Sequence, residues 1–220
     1  MKAVEEFLGF IPLTVSALLP VVNPVGSAVL FLGLVGSADH NRRRKLARRV
    51  AFDMTLFLLI VLIVGTNILS FFGISMPVVQ VAGGFVLATM GWSLLNKPNP
   101  GASTLLPTSA PTADLESLAF YPLTFPLTVG PGCIVVTLTL SAHASKASLV
   151  QTAIAYLAVT VGIIIVATSV YLSYTYADRL TRRISAPMAE GIMRIISFIL
   201  LCIGGEFMWE GVANLIRSLH

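Results

Sequence analysis

The stretch Leu18–Leu30 reads LLPVVNPVGSAVL. Apolar residues flank it on both sides, yet it holds two prolines, an asparagine and a glycine. A second such stretch, FPLTVGPGCIV, runs from Phe125 to Val135. The fold follows from how these two interruptions fit the apolar runs around them.

The chain has 220 residues, 56% of them hydrophobic and 11% charged, with a mean hydropathy of +0.89. A soluble domain carries about a quarter charged residues, so this is an integral membrane protein. About 20 apolar residues cross a bilayer core as helix. Six segments qualify: about 8–35, 50–72, 76–95, 118–142, 149–173 and 190–213. The first and fourth are longer than a straight crossing needs, and these carry the interruptions. The run LFLLIVLIVG does not alternate in polarity, which excludes a β-barrel reading. The N-terminus MKAVEEFLGF sets Glu5 and Glu6 against one lysine, unlike a signal peptide, so the first span is expected to be retained.

Basic residues orient the chain. NRRRKLARR holds six Lys or Arg within the eight residues Arg42–Arg49. With Lys97, Arg179, Arg182 and Arg183, ten basic residues fall in loops on one side, against three on the other. That bias places the basic loops in the cytoplasm and both termini outside. The same clumping explains the net charge of +4 without nucleic acid. Cys133 and Cys202 lie in apolar segments, without metal-ligand or disulfide spacing, and read as small packing residues. No metal or organic cofactor is expected.

The segment 96–117, NKPNPGASTLLPTSAPTADLES, is rich in Pro, Ser and Thr and reads as a linker. It divides the chain into a first three-helix repeat over 1–95 and a second over 118–220. Pro24 and Pro131 are 107 residues apart, and the Met/Pro and Phe-to-Gly landmarks of the third segments recur at 110 to 113. Three spans per half make the halves enter the membrane from opposite sides. The expected fold is therefore all-α, with six transmembrane helices in two inverted-topology three-helix repeats whose first and fourth helices are broken. Paired interruptions at matching positions point to a midplane substrate site.

The breaks carry their own chemistry. Proline lacks an N–H and frees carbonyls upstream, here near Leu19–Val21. A new half-helix then begins with free N–H groups and a partial positive charge. Asn23, Pro24, Gly26, Thr128, Gly130, Pro131 and Gly132 are the candidate substrate-binding residues. N–H groups would hold a carboxylate, and free carbonyls with the Asn23 amide oxygen an ammonium. Glu206, several residues inside the outer end of the last span, is the candidate for proton coupling. The pairs Arg49/Asp53 and Glu190/Arg194 stand at i, i+4 and read as ion pairs at helix ends. Gly84-xxx-Ala88 lets helices approach closely, within the monomer or at an oligomer contact.

The NPVG break with SAVLFLGL after it, PVVQVAGGFVLATMGWSLL, PLTFPLTVGPGCI and the ending IMRIISFILLCIGGEFMWEGV together resemble the MarC family, also called UPF0056 or the SnatA-like small neutral amino acid transporters. The resemblance runs from about residue 8 to the C-terminus. Val25 departs conservatively from the commoner NP-L/I-G. The resemblance implies a multi-pass protein of the bacterial cytoplasmic (inner) membrane. It also implies transport of small neutral amino acids of the glycine and alanine type, with proton or sodium coupling open. The partners expected are the lipid bilayer and that substrate. Alternatives are a channel, or a carrier or exporter of another small solute or a lipid-linked substrate. The sequence has no Gly-x-Ser-x-Gly, paired-Asp or His-Glu-x-x-His motif, so an enzyme is not expected.

Overall fold

A computed structural model describes residues 2–35, 39–96, 119–144, 148–183 and 185–218. Among these the chain is helical throughout, without a strand. The helices are α1 (Lys2–Val22), α2 (Pro24–Val35), α3 (His40–Phe71), α4 (Met76–Asn96), α5 (Pro131–Ala144), α6 (Leu149–Thr175), α7 (Ala177–Arg183) and α8 (Ala186–Arg217). The irregular segment Ala119–Thr128 precedes α5. Five stretches are long and apolar enough to cross a membrane, six when the bent pair Ala119–Thr128 and Pro131–Ala144 counts as one. Each of the six expected segments overlaps one of these stretches when the bent pair is counted as one; residues 97–117 of the expected linker lie outside the described residues.

Two boundaries differ from the sequence reading. The basic stretch 40–49 was expected as loop, but it extends α3 by ten residues. No Pro or Gly stands between Asp39 and Gly65, so nothing stops the helix. Its Arg43 pairs with Asp178 of α7, a short helix in what read as loop.

Four pairings organise the bundle. α1 and α2 lie along α6, while the Ala119–Thr128 segment and α5 lie along α3. α3 packs on α6 at the centre, and α4 packs along α8 most extensively of all. That last seam is lined by glycine. A Cβ at Gly84 would sit 2.7 Å from the Met208 N, at Gly91 2.7 Å from the Ser197 O, and at Gly211 2.7 Å from the Pro77 O. Gly204 faces the backbone of Gly84 and Ala88. The Gly84-xxx-Ala88 pair therefore serves a contact within the chain. Without side chains between them the two backbones touch, which is how membrane helices gain van der Waals contact when lipid removes the hydrophobic drive.

Candidate functional site

The first break is one residue wide. Asn23 has φ +45°, the only positive φ at a non-glycine among the described residues. Asparagine tolerates this left-handed conformation better than most residues. Its N–H still donates to the Leu19 carbonyl at 2.9 Å, closing α1. Its Oδ1 accepts the Gly26 N–H at 3.1 Å, and its own carbonyl accepts the Ser27 N–H at 2.9 Å. Asn23 thus ends one helix and caps the next, with Pro24 at the first helical position, where a missing N–H costs nothing. This modifies the expected inventory of free groups: the Leu19 carbonyl is taken, and the Asn23 oxygen already accepts one hydrogen bond. The Asn23 Nδ2 donates to the Met193 Sδ of α8 at 3.4 Å. A Cβ on Gly26 would run into the Asn23 side chain and come within 2.9 Å of that sulfur.

The second break is longer and turns the chain by 69°. Tyr121 and Phe125 are extended, at φ −123°, ψ 123° and φ −121°, ψ 128°, because a following proline disfavours the helical region. Both Tyr121-Pro122 and Phe125-Pro126 bonds are cis. Around them the hydroxyls reach back five residues. Thr124 donates to the Ala119 carbonyl at 2.8 Å and Thr128 to the Leu123 carbonyl at 2.7 Å. The Cys133 thiol faces the Thr128 carbonyl at 3.8 Å with the same spacing about Pro131. In each case a side-chain donor two residues after a proline meets a carbonyl three residues before it. Ser27 does nearly the same across Pro24, donating to the Val22 carbonyl at 2.9 Å. Ser and Thr side chains are one of the few means of re-satisfying broken backbone within a membrane. The tandem YPLT-FPLT, Tyr121–Thr128, is the sequence signal for this arrangement.

The two breaks meet. Gly132 packs against Leu87 of α4 and against Val21, whose Cγ1 would lie 3.0 Å from a Cβ there. On the other side Tyr174 of α6 joins them. Its hydroxyl lies 2.7 Å from the Thr128 Oγ1 and also faces Ser27, while its ring stacks on Phe31 of α2 at 4.4 Å. Pro24, Thr128 and Gly132 are buried, Asn23, Gly26 and Gly130 half-buried, and Pro131 exposed. A Cβ at Gly130 would meet only the Pro126 carbonyl, at 3.5 Å, with open space around it. The residues that meet at the junction, Val21, Ser27, Thr128, Gly132 and Tyr174, carry no formal charge. Sequence reasoning missed Tyr174 and Met193, since neither lies in a broken segment.

The model of the MarC family, described as MarC family integral membrane protein, matches residues 8–216. The chain belongs to the MarC family. It is similar to the UPF0056 inner membrane protein MarC of Escherichia coli, at 28% identity over 211 residues, 92% of this chain and 94% of the relative. The same protein of Shigella flexneri matches to the same extent. No solved structure matches.

The acidic residues described on α3 and α8 pair mostly with neighbouring basic groups. Asp53 accepts from the Arg49 Nε at 3.1 Å, and Glu190 from the Arg194 Nη2 at 2.7 Å, as their spacing suggested. Glu206 is exposed on α8. Glu210, one turn on, faces the His143 Nε2 of α5 at 3.2 Å. Among the described residues no group of three His, Cys, Asp or Glu could hold a metal.

Proposed function

We propose that this MarC-family membrane protein is a secondary transporter of small neutral amino acids, working by alternating access at the junction of its two broken spans. The observation that carries this reading is the meeting of the breaks: Gly132 against Val21, and Ser27 and Thr128 around one tyrosine hydroxyl. Interrupted helices that meet between repeats are where such carriers hold substrate. The helix pairing supports the repeat. Exchanging the two halves turns the α1–α6 contact into that of α3 with the second broken span, turns α1–α5 into that of α2 with Ala119–Thr128, and maps α3–α6 and α4–α8 onto themselves.

A neutral junction of half-helix ends, hydroxyls and an amide suits a zwitterion with no net charge. The N-termini of α2 and α5 offer partial positive charge to a carboxylate, and carbonyls orphaned by proline offer acceptors to an ammonium. Asn23, Pro24, Gly26, Thr128, Gly130, Pro131 and Gly132 line that site in this reading. Close packing by Leu87, Met193 and Tyr174 restricts it to small side chains. Alternating access in this reading requires movement of the elements around the junction.

Counterflow of labelled alanine or glycine in proteoliposomes tests the proposal. Saturable exchange is expected, and a non-saturating flux would indicate a channel. Gly130→Leu is the sharpest variant, because the space around Gly130 lets it fold; transport equal to the parent would remove Gly130 from the site. Glu206 is the proposed proton-coupling group. A Glu206→Gln protein that responds fully to an imposed pH gradient would exclude that role.

A further inference from the structure

A groove of about 930 Å³ opens between α3 and α6, away from the two breaks. Its upper end is lined by Arg44, Lys45 and Arg48, and its lower end by Phe52, Thr55 and Ile164. On α3 these positions recur at helical spacing, so one face of the helix passes from cations to apolar groups. From Arg44 to Thr55 the face rises about 16 Å, close to the thickness of one leaflet's hydrocarbon. The cations lie just before the start of the apolar span at about residue 50, the depth at which headgroups sit.

The charges on this face differ from their neighbours. Arg43 is paired with Asp178 and Arg49 with Asp53. Arg44, Lys45 and Arg48 have no acidic partner among the described residues, and no acid lines the groove. Arg44 is positioned by a hydrogen bond from its Nε to the Tyr171 hydroxyl of α6 at 3.0 Å, which leaves its two Nη groups for an oxyanion. Below, the polar groups are turned inward. Thr55 donates to the Ala51 carbonyl at 2.8 Å and Thr168 to the Ile164 carbonyl at 2.7 Å, so the wall presents methyls. Phe52 is 61% and Ile164 48% exposed.

We propose that this groove binds an anionic glycerophospholipid, its phosphodiester held by Arg44, Lys45 and Arg48 and an acyl chain lying along Phe52, Thr55 and Ile164. Basic pockets between membrane helices on the cytoplasmic side are suited to phosphate headgroups, and a guanidinium presents paired N–H groups to phosphate oxygens. A soluble anion would use the cations but not the apolar half. The lipid would bridge α3 and α6, the two helices on which the broken spans lie.

Native mass spectrometry of the full-length protein, delipidated in detergent, tests this. Phosphatidylglycerol and cardiolipin are titrated against phosphatidylcholine, with glycerol 3-phosphate as a headgroup without chains. Retention of the two anionic lipids over phosphatidylcholine is expected, with no binding of glycerol 3-phosphate. Lys45→Glu with Arg48→Glu leaves the Arg44–Tyr171 bond intact and should lower anionic-lipid binding on the order of fivefold or more per cation lost. Thr168→Trp keeps every charge, fills the apolar half and should also lower it. Arg42→Ala, outside the groove, should not. Equal retention of phosphatidylcholine, binding of glycerol 3-phosphate as tight as lipid, or an equal loss in Arg42→Ala would each overturn the proposal.

Discussion

The two breaks occupy matching places in their halves, with Pro24 and Pro131 at an offset of 107 residues, yet they are built differently. At the first, one residue does all the work of termination and initiation, and α1 and α2 continue as a single span, Phe7–Val35. At the second, Pro122, Pro126 and Pro131 fall within ten residues, and the chain turns by 69°. The difference lies in how the freed backbone is satisfied. Asn23 uses both its unusual φ and its amide, so neither helix needs to move aside. Thr124, Thr128 and Cys133 each reach across a proline from the same relative position, and three such corrections in succession add up to a turn. The prolines fix where a helix breaks; the donors around them fix its shape afterwards.

Substitutions can break this contrast in order of effect. Gly132→Leu should be the most damaging. A side chain there collides with Leu87 and Val21, and overpacking of this kind costs about 3 kcal/mol. Thermal unfolding in detergent should show the loss and amino acid transport should vanish, whereas Gly130→Leu should unfold like the parent. Next, Thr128→Val removes a hydroxyl shared between the Leu123 carbonyl and Tyr174. Leaving buried polar groups unpaired costs about 2 kcal/mol, and Thr128→Ser should recover most of it.

The first break should respond to different chemistry. Asn23→Ala loses the cap and forces an unfavourable φ, at about 1–2 kcal/mol. Asn23→Gly keeps the φ and should cost only a few tenths of that. Unfolding curves for the pair read the two contributions separately; equal losses would mean that φ does not matter at this position. Met193→Ala should cost about 1 kcal/mol, at or below the Asn23→Ala loss, because Met193 is only half-buried. Its larger effect is expected in transport, as a changed KM for alanine, since it removes the sulfur that covers Asn23 and Gly26.

Much of the fold was legible because long apolar runs leave few choices in a membrane. The spans, both interruptions and the family followed from periodicity, prolines and motif order. The i, i+4 ion pairs were also visible, since a helix fixes their spacing. What stayed hidden depended on tertiary approach. Tyr174 sits in YLSYTYADR, among three tyrosines that look alike, and only packing selects the one that reaches both breaks. Met193 reads as one more apolar residue of α8. The extension of α3 was missed because charge was taken to mean loop, although Arg and Lys are good helix formers.

Asn23 also has a chemical lifetime. Asparagine ages when the next residue's backbone nitrogen attacks the side-chain amide and closes a succinimide ring, a step that requires an N–H. Pro24 has none. The residue that breaks the helix therefore also shields its cap from deamidation, which would otherwise place a carboxylate at an uncharged junction. Peptide mapping of long-stored protein should find the amide at position 23 intact while exposed asparagines elsewhere convert.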